Sequence, residues 1–166
     1  MSDVTDDGEA PLLAAGLTWD RMTAGSAFRT SARTITETDL VNFVALGGFT
    51  EPLFYDAGHA KAGGYSGRLV PGGLVYMFAE GLVLQTNALH GTGLALVHLD
   101  FDIAEPTYVG DTLHVVVRTI ESRPSRKPGR GVVTSRCSIR NQRGEEVAVY
   151  RPVRLIRGAD FAETGA

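Results

Sequence analysis

The second half of the chain alternates. In residues 93–103, GLALVHLDFDI, Ala95, Val97, Leu99, Phe101 and Ile103 fall on one side, and Leu94, Leu96, His98, Asp100 and Asp102 on the other. That period of two predicts a strand. Residues 112–122, 131–140 and 145–157 repeat the pattern. The links RPSRKPGRG and NQRGE separate them, and the second is a hairpin signal. The mixture of polar and β-branched residues at 27–36 predicts a further strand.

Two segments follow a helical period instead. In TETDLVNFVALGG, Thr36 with Asp39 three residues on is a capping-box start, Leu40, Phe43, Val44 and Leu46 share a face, and Gly47 and Gly48 end the run. Residues 73–89, GLVYMFAEGLVLQTNAL, are apolar on nearly all sides, which predicts a helix buried in a core. DAGHAKAGG between them predicts a short helix capped by Asp56 and stopped by Gly63 and Gly64. A sheet that curls around one apolar helix buries both. The expected fold is therefore α+β: an antiparallel hot-dog sheet wrapped around one long helix. The domain is expected over 16–158, with a flexible segment at 1–15 and a tail at 159–166.

Composition narrows the function. The chain has 166 residues, 43% of them hydrophobic, and a net charge of −3. That balance speaks against nucleic acid and anionic membranes as partners. No apolar run approaches the ~18 residues of a membrane span. The start lacks a basic region followed by an apolar one, and the lone Cys137 has no intrachain partner, so a cytoplasmic protein is expected. The four histidines are scattered without ligand spacing, and no metal site or cofactor is expected.

TITETDLVNFVALGG, EPLFYD, GGYSGRLVPGGL, EPTYVGDTL and RPSRKPGRGVV followed by NQRGEEV, in this order, resemble the MaoC-like hydratases, which include the (R)-specific enoyl-CoA hydratases. The resemblance covers about residues 18–157. It implies a homodimer or a double hot dog, or a heteromer with another hot-dog chain. It also implies an acyl thioester of coenzyme A or of a carrier protein as substrate, bound near the long helix.

The family loop reads Gly-Asp-x-Asn-Pro-x-His, with Asp and His as the hydration dyad. Here Gly48 and Pro52 match, Phe49 falls at the Asp position, Glu51 at the Asn position and Phe54 at the His position. Phenylalanine neither takes nor gives a proton, so the resemblance implies a non-standard site lined by Phe49 and Phe54. Gly72 and Gly73, at the start of the long helix, are the expected thioester-binding residues. Free N–H groups and the helix dipole favour a developing oxyanion there.

Candidate acid–base groups are Glu51, in the loop, and Glu80, two helical turns after Gly73. A carboxylate in an apolar helix is expensive to desolvate unless it is paired, and Arg68 is one possible partner. The segment PGGLVYMFAE also resembles the helix of hot-dog acyl-CoA thioesterases that carry a catalytic Glu, although Pro71 replaces their His. Two alternatives to a hydratase therefore stay open: a thioesterase using Glu80, and a non-catalytic thioester-binding subunit. Arg123, Arg126, Lys127 and Arg130 form a basic loop suited to coenzyme A phosphates or simply to solvent. His98 is expected on an outward face, and Cys137 as a small core residue.

Overall fold

The computed structural model describes residues 14–162. Most of the segment expected to be flexible at the start, and the end of the expected tail, lie outside that range. The strands are β1 (Ala27–Arg29), β2 (Arg33–Thr34), β3 (Gly93–Ile103), β4 (Thr112–Pro124), β5 (Arg130–Arg140) and β6 (Glu146–Arg157). The helices are α1 (Glu37–Gly47), α2 (Ala57–Ala62) and α3 (Gly72–Leu84). All pairings are antiparallel, in the order β1-β4-β5-β6-β3, with β2 paired to β4 outside that path. One face of the sheet packs on α3, which is the α+β hot-dog arrangement expected from the alternation. Among the described residues no helix is long and apolar enough to cross a membrane.

The helix starts and stops follow local chemistry. Thr36 accepts from the Asp39 N–H while Asp39 accepts from the Thr36 N–H, and Gly48 closes α1 in the left-handed region at φ 65°. Asp56 accepts from the N–H groups of Gly58 and His59 and so caps α2. Leu40 is fully buried, but Leu46 is 89% exposed, so the apolar face of α1 is shorter than its spacing predicts.

The core is a stripe on α3 set against the sheet. Leu74, Phe78 and Leu82, with Val75, Ala79 and Val83 beside them, pack on Leu113, Val115, Ile139, Ala148 and Tyr150. Each large side chain buried there stabilises the fold by roughly 1.5–3 kcal/mol. α3 is not buried on all sides, however. Met77 and Leu84 are half exposed, and the helix ends at Leu84 rather than continuing to residue 89.

Two strands depart from their patterns. The expected strand at 27–36 breaks in two. Thr30 accepts the Val115 N–H with its side-chain oxygen at 3.0 Å, which replaces a backbone acceptor of the ladder and lets the chain leave the sheet. In β3, register shifts fall between Gly93 and Ala95 and between Leu96 and His98. A bulge reverses the parity of the residues before it. Leu96 rather than Val97 therefore stands opposite the inward-facing Arg154, and the expected apolar face is kept only by Leu99, Phe101 and Ile103. β3 is also an edge of the sheet, and most of its side chains are exposed.

Candidate functional site

A cavity of about 360 Å³ opens where the first turn of α3 meets the end of β3 and the start of β6. Phe54, Leu69, Val75, Ile103 and Val147 form its apolar walls, and Tyr65, Glu105 and Thr107 its polar lining, with Gly72 at the helix end. Backbone bonds hold these parts in place. The Val70 N–H donates to the Thr107 carbonyl at 2.8 Å, the Leu69 N–H to the Leu53 carbonyl at 3.0 Å, and the N–H groups of Ala104 and Glu105 share the Val147 carbonyl. The segment before α3, the loop carrying Phe54 and the end of β3 are thereby tied together.

α3 begins without a side-chain cap. Leu74 and Val75 both donate to the Pro71 carbonyl, while the N–H groups of Gly72 and Gly73 have no partner among the described residues. Such unpaired amides at a helix start attract negative charge. Only one of the two glycines lines the cavity. A side chain at Gly72 would meet Ile103 Cδ1 at 2.5 Å, whereas the same face of Gly73 is covered by the Phe43 ring, 3.2 Å from where its Cβ would lie. Gly72 therefore lets the Ile103 side chain lie directly against the helix start, where any larger residue would push it away.

Phe49 and Phe54 also separate. Phe54 lines the cavity; Phe49 does not. Phe49 instead bridges two rings, its centroid 5.0 Å from that of Phe43 and 6.0 Å from that of Phe54. Phe43, Phe49 and Phe54 form one aromatic row beside the helix start, within the range of favourable tilted and edge contacts.

Neither candidate carboxylate lines the cavity. Glu51 is exposed, and its carbonyl accepts from the Phe54 N–H at the head of the turn Pro52–Phe54. Glu80 faces the sheet. It accepts two bonds from Arg154 Nη2, at 2.6 and 2.7 Å, and a third from the Tyr150 hydroxyl at 3.0 Å. Its partner is thus Arg154; Arg68 pairs with Glu37. Below this pair lies Cys137, whose thiol burial pushes up to about 11, so it stays a neutral core residue. Burial also raises the Tyr150 hydroxyl, which remains a donor. This cluster pins α3 to β6 and leaves Glu80 little freedom to attack a substrate.

The outward placements are as expected for His98, which sits exposed with Asp100 3.1 Å away. The basic loop is at the other end of the sheet. Arg130 stands opposite Arg157, and Ile103, at the cavity, opposite Ala148. At about 3.3 Å per residue the nine steps along β6 separate them by roughly 30 Å. A second space of about 50 Å³ near that end, lined by Met22, Val83, Val133 and Arg154, is too small for an acyl group.

Comparisons with known proteins bear on the family and the fold. The family described as FAS1-like, dehydratase domain region, matches residues 22–150. No curated protein sequence matches the chain. Among solved structures, a monoamine oxidase regulatory protein from Archaeoglobus fulgidus is 27% identical over 90% of this chain and 99% of its own, with a TM-score of 0.82. A MaoC-like dehydratase from Rhodospirillum rubrum is 23% identical over 88% and 100%, at 0.79. An (R)-hydratase from A. caviae involved in PHA biosynthesis is 22% identical over 80% and 95%, at 0.67. With the matched stretch covering α3, the cavity and all of the sheet but the end of β6, the chain belongs to the FAS1-like dehydratase family, and its fold is that of the MaoC-like dehydratase structure.

Proposed function

We propose that this protein adds water to, or removes it from, an acyl thioester at the cavity beside the start of α3, without the usual Asp/His dyad. The observation that carries the reading is Gly72, whose N–H has no partner among the described residues, at the start of a 13-residue helix and in the lining of an apolar cavity of about 360 Å³. Hydration of an enoyl thioester places negative charge on the carbonyl oxygen, and a helix start stabilises it. The apolar walls suit an acyl chain, and Phe54 at the position of the family's His makes them more apolar still. The thioesterase alternative is weakened because both oxygens of Glu80 are held by Arg154.

The aromatic row Phe43, Phe49, Phe54 favours a second reading, a thioester-binding subunit whose dyad positions serve only packing. Incubation with crotonyl-CoA separates the readings. Loss of the conjugated absorbance supports hydration and release of free thiol supports hydrolysis. Silence in both assays, with a melting temperature raised by butyryl-CoA, supports the binding subunit.

The edge strand β3 supports a homodimer. Leu94, Leu96 and Val97 are exposed along an unpaired edge, which an antiparallel copy of β3 would cover. In that pairing the partner's basic loop comes to the cavity end of the sheet, where coenzyme A phosphates would emerge.

A further inference from the structure

We propose that Glu105 is the acid–base group of this site, in place of the missing dyad. This inference rests on the hydratase reading above. Of the residues lining the cavity, only Tyr65 and Glu105 carry an ionisable side chain. A phenol donates a proton at neutral pH but does not accept one readily, so Tyr65 cannot be the base. Glu105 is a carboxylate without a hydrogen bond or ion pair to any described side chain, whereas Glu37, Glu80, Glu121, Glu145 and Glu146 are each engaged by an arginine. It sits on the rim, shared with a neighbouring depression lined by Tyr108 and Arg143, and so stands between the bulk water and the apolar walls.

A second polar group stands on this rim. Thr107 lines the cavity, and its hydroxyl, unpaired among the described residues, is not sealed from solvent as the Thr18 and Thr92 hydroxyls are. It is free to bond a water or a thioester oxygen in the cavity. Glu105 and Thr107 are two residues apart around Pro106, and both line the same space. The position of Glu105 is fixed from behind, because its own N–H and that of Ala104 donate to the Val147 carbonyl at 3.1 and 2.9 Å.

The step balances with one carboxylate. Glu105 takes a proton from water as the water oxygen bonds to the β-carbon of the enoyl thioester. The π electrons of the double bond move through the α-carbon onto the carbonyl oxygen, beside the Gly72 N–H. The carbonyl re-forms as the carboxyl group of Glu105 returns the proton to the α-carbon. The product is the 3-hydroxyacyl thioester, and the carboxylate is regenerated. Dehydration runs the same steps backwards.

The test is steady-state hydration of crotonyl-CoA by the full chain, its Glu105→Gln and Glu105→Asp variants, with melting temperatures and butyryl-CoA binding in parallel. A positioned acid–base group contributes about 100-fold or more. We expect Glu105→Gln to lower kcat about 100-fold, with KM and butyryl-CoA affinity within about threefold and an unchanged melting temperature. Glu105→Asp should recover part of the loss. Hydration by the wild type together with a Glu105→Gln kcat within threefold of it overturns the role of Glu105 and leaves the hydratase reading standing. A wild type that binds butyryl-CoA but never hydrates crotonyl-CoA overturns both.

Discussion

Arg154 donates through one nitrogen to both carboxylate oxygens of Glu80, tying β6 to the middle of α3. The arginine side chain is 9% exposed and the glutamate 20%, so each is the other's main source of charge compensation. Removing one partner of such a pair is worth several kcal/mol, because the other charge stays buried. Glu80→Ala is expected to lose about 3 kcal/mol in urea unfolding. Replacing both partners, as Glu80→Leu with Arg154→Met, should recover most of that. A Glu80→Gln variant that stays folded but loses all turnover would return Glu80 to the chemistry.

A carboxylate on the β5–β6 hairpin sets part of the acid response. The Ser138 hydroxyl and then Arg136 bond to Glu146 and hold its carboxyl below the usual 4.5. Its folded value is depressed relative to the unfolded chain. The stabilisation is therefore fully present above about 4.5 and is lost as pH falls through the folded value. Unfolding free energy measured between pH 7 and pH 3 should drop less in Glu146→Gln than in the wild type. Parallel curves would remove Glu146 from the account.

The rings of Phe49 and Phe54 lie 6.0 Å apart between centroids, so polar side chains at the two positions would be neighbours. The double variant Phe49→Asp with Phe54→His restores the family's dyad chemistry in place. We expect crotonyl-CoA hydration to rise about tenfold or more, within the range of positioned acid–base catalysis. A folded double variant with no gain would mean that these positions are not aligned with the dyad.

Val97, at the β3 bulge, is 64% exposed on the unpaired edge. A lysine there opposes strand addition. Size-exclusion chromatography with light scattering should find a dimer for the wild type and a monomer for Val97→Lys. A wild type that is monomeric at micromolar concentration would leave the β3 edge without its expected partner.

The local signals were strong wherever neighbours in sequence decide the outcome. The capping box of Thr36 and Asp39, the Asp56 cap and the Gly48 stop depend on atoms within a few residues of one another, and all formed as expected. The four long strands follow from alternation. Long-range placement was weaker. Leu46 shares the helical spacing of Leu40 yet faces solvent, because no described residue covers its side chain. Glu105 and Thr107 read as parts of a turn, since nothing in EPTYVGD says that the turn closes over a helix start. Tyr150 and Arg154 carried a usable clue: both are polar groups at inward positions of an otherwise apolar alternation, four residues apart.

The order of residues alone therefore determined most element types and the wrapped helix. Periodicity and capping act over a few residues and survive in any tertiary setting. Which carboxylate meets the cavity was decided only by the fold. The sheet brings Arg154 across to Glu80 and carries Glu105 to the open end of α3, and contacts between residues about 30 to 75 positions apart leave no local mark in the chain.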